Sequence, residues 1–288
     1  MKYGPYSPSR LDTALCGYSF YKQYIDPERK NLPKVENVAA ARGSVVHLVF
    51  EKITKKFTEA LANNSRPDLN FGMIKQWVAD AINMHPAAYS EIEDILAMAN
   101  KYAFNPPPVL TSDAEIELRL AIKPELNPDG TWKTWVDQDG DLEFTRPCFV
   151  ECDYEDPQAF ARGRADIMYM SDDLTTISFY DHKTQPNIEA ADTHQMAFYA
   201  WVISCIRPDV EQISTTLHFA RYGKYSEPKT WAKRELRQVE DIVMTEISVV
   251  EGRTAGDATP NKNGQYGPFL DQCPVMKRYV HVDEVTGR

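Results

Sequence analysis

The chain contains no C-x-x-C pair, and its five cysteines are an odd number. That pattern fits free thiols in a reducing compartment and argues against a disulfide framework or a zinc knuckle. Long apolar runs are also missing. The longest, Ala197 to Ile206, falls well short of the roughly 20 residues a membrane-spanning helix needs. The opening Met1-Lys2-Tyr3-Gly4-Pro5 has no apolar stretch of the kind found in a secretory leader. A soluble, intracellular (cytoplasmic) protein without membrane contact is therefore expected. Cations are scarce, since 32 Lys and Arg against 42 Asp and Glu leave a formal charge of -10. Such a balance argues against a protein that coats nucleic acid through a broad basic surface. Internal repeats and low-complexity segments are absent as well.

What is present is ample core material. With 288 residues, 43% of them apolar and 11% aromatic, the chain can bury a sizeable interior, and one domain with helical additions is expected. Residues 1–108 read as mainly helical, 109–222 as sheet-rich, and 223–288 as a helix followed by an irregular tail. In the first part, Ser9 to Tyr24 carries helical spacing and Pro27 ends it. A second helix is expected after Gly43, with Val46, Val49, Phe50, Ile53 and Phe57 on one face and His47 and Glu51 on the other. Two more helices fill 71–104, broken near His85-Pro86, and Pro106-Pro107-Pro108 stops helix formation. Strands are expected over Ala114 to Ile122 and Trp132 to Val136, with Asp129-Gly130 and Asp139-Gly140 as turns. Glu189 to Ile206 reads as a helix, Ile213 to Tyr222 as a strand and Thr230 to Glu251 as a long helix.

The stretch from Arg162 to Tyr199 carries the most chemistry. Arg162 to Met170 and Thr175 to Lys183 both read as strands, joined by a short turn at Asp172-Asp173. Side chains alternate along a strand, so Asp181 and Lys183 share a face while His182 takes the other. A hairpin here sets Asp166 beside Asp181. Two carboxylates and one ammonium on a single patch suit a divalent cation bound next to a phosphodiester. On the helix that follows, Gln195 and Tyr199 are one turn apart and share a face.

Gly163-x-x-Asp166, Asp181-His182-Lys183 and Gln195-x-x-x-Tyr199, preceded by Arg42 to His47 and by Tyr6-Ser7-Pro8-Ser9-Arg10-Leu11, resemble the PD-(D/E)XK nuclease superfamily. Within it they resemble the RecB-like, CRISPR-associated exonuclease-like branch. The resemblance implies an α/β fold with a restriction-endonuclease-like core, a central mixed β-sheet flanked by helices, and N-terminal helical additions. It implies metal held by Asp166, Asp181, the backbone carbonyl of His182 and the imidazole of His47, with Glu51 either a partner of His47 or a further metal contact. Lys183 is the implied catalytic ammonium, and Gln195 and Tyr199 orient water or phosphate. Oxygen ligation suits Mg²⁺, and a nitrogen ligand shifts preference towards Mn²⁺. The implied activity is a metal-dependent deoxyribonuclease, an exonuclease on DNA ends or single strands in recombination, repair or replication. The alternative is an inactive nuclease-fold subunit that binds DNA within a recombination or CRISPR-type complex. The acidic charge fits either, because a carboxylate site needs only a local basic strip to meet phosphates.

Some relatives hold an iron-sulfur cluster through one N-terminal and three C-terminal cysteines. Only Cys16 and Cys273 match, so no iron-sulfur cluster is expected. Cys148 and Cys152 read as buried strand residues. The candidate DNA-facing strip is Arg221, Lys224, Lys229, Lys233, Arg234 and Arg237, weighed evenly against a plain solvated face. Glu115 and Glu117 are weighed as extra acidic ligands and read, about three to one, as solvent-facing strand residues, and His182 and His194 as structural or DNA-facing.

Overall fold

The computed structural model describes residues 3–30, 38–139, 142–188 and 193–254. Helix α1 (Pro8–Ala14) starts where Ser7 accepts the N–H of Arg10 and proline takes the first turn. After α2 (Gly17–Phe20) and a π-helical turn, the long α3 (Val38–Ala62) begins ahead of Gly43. The glycine is tolerated inside the helix because Val45, Val46, Val49, Phe50 and Ile53 bury a continuous face around it. Helix α4 (Phe71–Met84) is capped by the side chain of Asn70 and gives way at His85-Pro86 to a short 3₁₀ turn and α5 (Ile92–Phe104).

The strands are β1 (Glu115–Pro124), β2 (Thr134–Asp139), β3 (Leu142–Pro147), β4 (Phe149–Glu151), β5 (Ala161–Met170) and β6 (Thr176–Lys183). Helix α6 (Thr193–Ile206), β7 (Gln212–Phe219), β8 (Lys224–Tyr225), β9 (Lys229–Ala232) and α7 (Lys233–Glu251) complete the described chain. Seven strands form one mixed sheet in the order β4-β1-β5-β6-β7-β8, with β9 also on β7. All pairings are antiparallel except β6 with β7, which α6 connects as a crossover. This is the helix-flanked mixed sheet of a restriction-endonuclease-like core. Strands β2 and β3 make a separate hairpin.

The alternation of β6 divides the interior. Ile177 and Phe179 face a cluster with Phe198, Trp201, Leu236 and Val243, on the side of α6 and α7. Tyr180 joins Val46, Phe50, Ile95, Met98 and Tyr102, on the side of α3 to α5. Against the sequence reading, Thr230 to Ala232 is strand and not the first turn of α7. Trp231 pairs in register with Ile213, is buried, and donates its indole N–H to Thr215 Oγ1 at 3.2 Å. The side chain of Glu235 then takes the N–H of Ala232 and starts the helix. Cys148 and Cys152 lie just outside β4 and are half-buried, so they are not buried strand residues. Cys273, Gly140 and the tail beyond 254 fall outside the described residues.

Phe50 lies flat on Tyr102, with ring centroids 4.1 Å apart, and meets the His182 ring edge-on. Phe50→Ala removes a fully buried ring from between α3, α5 and β6, and a loss of about 3–5 kcal/mol is expected. Urea unfolding followed by circular dichroism checks it; a midpoint equal to the parent's would show that this packing contributes nothing.

Candidate active site

The site opens where β5 and β6 part. Their pairing runs from Met170 and Ile177 to Ile167 and Tyr180 and goes no further. At the next position Asp166 inserts its carboxylate, and Oδ2 accepts the N–H of His182 at 2.6 Å. A side chain thus satisfies a backbone donor that a ladder carbonyl would otherwise take. The other oxygen, Oδ1, lies 2.9 Å from Nδ1 of His47 on α3. Asp181 sits beside this pair with Lys183 Nζ at 2.8 Å from its Oδ2. Both aspartates are almost fully buried, at 4% and 3% exposure. Lys183 also donates to Gln195 Oε1, and Gln195 Nε2 donates to the Tyr199 hydroxyl at 2.9 Å. Tyr199 is held close by Gly163, where any Cβ would stand 2.9 Å from the tyrosine ring.

The sequence reading erred on Glu117. Glu115 is exposed, but Glu117 has φ +56°, a left-handed conformation that costs a non-glycine residue about 1–2 kcal/mol. The departure from regular strand geometry turns its carboxylate towards the site instead of the solvent, and its side chain is only a tenth exposed. It approaches His47 Nδ1 to 3.9 Å and pairs with Arg164. Period-two alternation carries no signal for such a turn.

The electrostatics follow from three acids crowded into one place. Burial pushes Glu117 up, the charge of Asp166 adds to it, and its pKa reaches about 7. Burial likewise raises Asp181, against the opposing pull of Lys183. For Asp166 burial acts upward too, but the charge and hydrogen bond of His47 and the N–H of His182 outweigh it and hold the pKa at about 2. His47 responds in kind: burial favours its neutral form, yet Asp166, Asp181 and Glu117 together lift it to about 9. Burial drives His182 down to about 4.

His47, Glu117 and Asp166 offer one imidazole nitrogen and two carboxylate oxygens within 4.8 Å of one another. This donor set fits a divalent cation, which would offset the burial and, after it, the repulsion that raise Glu117 and Asp181. A cavity of about 460 Å³ lies over it, walled by Asp166, Asp181, Arg164, Gln195 and Tyr199 and by His85, which the sequence reading passed over. His47, Asp166, Asp181, Lys183, Gln195 and Tyr199 are thus brought together. Glu51, one turn beyond His47, pairs with Lys55 at 2.5 Å and reaches the site only as a charge that adds to the rise of Glu117. The His182 ring is not DNA-facing: it is buried against Phe50 and Tyr102, with Nδ1 3.1 Å from Nδ1 of His218. His194 pairs with Glu246 at 3.1 Å. Half of the six cations in the Arg221–Arg237 strip are already engaged, Arg221 with Asp94 and Glu91, Lys233 with the carbonyl of Pro208, and Arg237 with Asp137.

The sequence model of the PD-(D/E)XK nuclease superfamily matches residues 5–274. The chain belongs to this superfamily. A PD-(D/E)XK assignment brings with it metal-dependent nuclease chemistry and a divalent cation as cofactor. No curated protein matches the chain. Among solved structures, that of SSO0001 is similar at 13% identity, covering 86% of this chain and 91% of the other, with a TM-score of 0.30. No helix among the described residues is long and apolar enough to cross a membrane.

Binding a cation at this PD-(D/E)XK centre requires neutral His47 and ionised Glu117, which at pH 6 are both still protonated. Apparent Mn²⁺ affinity is therefore expected to rise from pH 6 to pH 9, by up to about tenfold per proton released per pH unit. Calorimetry in two buffers of different ionisation enthalpy reads both the affinity and the protons. A pH-independent affinity would remove His47 and Glu117 from the ligand set.

Proposed function

We propose that this protein is a metal-dependent deoxyribonuclease of the RecB-like branch, acting on DNA ends or single strands in recombination, repair or replication. The observation that carries the reading is the meeting of His47, Asp166 and Asp181 at one cavity, with Lys183 paired to Asp181, in the order along the chain that the RecB-like resemblance implies. We read the chain as a single nuclease domain in a cytoplasmic protein, with Mg²⁺ or Mn²⁺ as the cofactor and a partner in a recombination or repair complex.

His47, Asp166, Asp181, Glu117 and the carbonyl of His182 are the groups that would hold the metal. Bound there, a divalent cation supplies charge neutralisation on the phosphoryl oxygens and acidifies the attacking water. The chain's own part is positioning and charge. Lys183, fixed between Asp181 and Gln195, presents an ammonium where negative charge builds on the phosphate. Gln195 and Tyr199, linked to each other and to Lys183, orient water and phosphate through hydrogen bonds. Tyr199 stays a neutral donor, because burial raises its hydroxyl well above the usual value.

End-labelled linear single- and double-stranded DNA, incubated with purified protein and Mg²⁺ or Mn²⁺, tests the reading. Cleavage is expected, with single strands preferred. Asp181→Asn and Lys183→Ala should each reduce the rate by about 10²–10³-fold or more, with the circular dichroism spectrum unchanged. DNA left intact under every metal would overturn the assignment.

A further inference from the structure

A second cavity, of about 260 Å³, adjoins the metal cavity and shares Arg164, Gln195 and Tyr199 with it. Gly163, packed against the Tyr199 ring, lies on the wall of the second cavity beside Arg164. Arg162 and Arg164 line it at alternate positions of the strand, about 6.6 Å apart along its axis. Among the described residues they outnumber the one carboxylate on its wall, Asp12.

These guanidiniums are held in place but not fully occupied. Arg119, the register partner of Arg164 on β1, and Arg162 lie 5.5 and 5.3 Å from the centre of the Tyr154 ring, and Tyr154 also lines the cavity. Such contacts fix the planes of the guanidiniums and leave their N–H edges free to donate. Arg162 donates through one terminal nitrogen to the carbonyl of Asp156 at 2.9 Å, while its Nε is buried and has no hydrogen-bond acceptor. Arg164 is half exposed and touches only the acidic rim of the metal site, through Glu117. Two arginines thus flank Tyr154 beside the candidate active site, Arg119 also lying 4.0 Å from Glu155, and Arg164 is the register neighbour of Arg119.

We propose that this second cavity seats the DNA strand next to the scissile bond, with Arg164 and Arg162 each taking a phosphate and Tyr154 positioning them. A bidentate guanidinium suits phosphate oxygens. The strand that enters these cavities, of about 460 and 260 Å³, is unpaired at that point in this reading. The inference rests on the nuclease reading above and deepens it, because it makes a single-stranded segment the substrate at the site of cutting.

The test uses the full chain carrying Asp181→Asn, a fluorescein-labelled single-stranded oligonucleotide with Mg²⁺, and fluorescence anisotropy between 50 and 200 mM NaCl. Arg162→Gln with Arg164→Gln is expected to weaken binding at least tenfold and to flatten the log–log salt dependence by about 1.4, the loss of two single-strand phosphate contacts. Arg162→Lys should keep the parent's slope, which separates lost charge from lost folding. Arg164→Gln alone, at an exposed position, should remove about half of the slope change. If the double variant binds with the parent's affinity and slope while the Asp181-containing protein cleaves DNA, the strand runs elsewhere and the nuclease reading stands. If the Asp181-containing protein neither binds nor cleaves, both readings fall.

Discussion

The carboxylate of Asp166 stands in the ladder at the place where β5 and β6 part. By accepting the N–H of His182 it ends the pairing of the two strands without leaving a buried donor unsatisfied, which would cost about 1–3 kcal/mol. The same group lies against His47, and its negative charge lifts that imidazole and adds to the rise that burial imposes on Glu117. Strand separation, room for a cation and the electrostatics of its surroundings thus come from one side chain. The buried charge is sustained because it is surrounded by an imidazole, a backbone amide and, through Asp181, an ammonium.

The two faces of β6 divide the labour. Asp181 and Lys183 stand towards the reaction, while the imidazole of His182 is packed among Phe50, Tyr102 and His218. Burial keeps both histidines of that pair uncharged, at about 4 for His182 and about 2 for His218, so the packing behind the site carries no titrating charge at neutral pH. Rigid aromatic contacts therefore set the position of the residue whose N–H meets Asp166, and the reactive face inherits its geometry from the apolar one.

Much of this was legible in the sequence because it depends on regular periods. Asp181 and Lys183 share a face by strand alternation and Gln195 and Tyr199 by the helical turn, whereas the mixed sheet was expected from the family resemblance, the order of elements alone giving only an α/β or α+β domain. His47 lay on a recognisable polar stripe, even though α3 begins earlier than Gly43 suggested. What escaped depends on departures from those periods. Glu117 enters the site through a single left-handed φ, which composition and spacing do not encode. His85 arrives at the cavity wall from the end of α4, and Trp231 converts an apparent helix start into a strand through a contact with β7. The basic run from Arg221 to Arg237 looked continuous in one dimension, while half of its cations are engaged with other groups in three.

The contact between Gly163 and the ring of Tyr199 leaves the two positions bound to each other. A backbone lying against an aromatic face admits no added atom, so the gap between β5 and α6 is the thickness of that ring. Residues 163 and 199 form a spacer made of two parts: a side chain at 163 demands a smaller residue at 199, whereas a smaller residue at 199 widens the passage by itself.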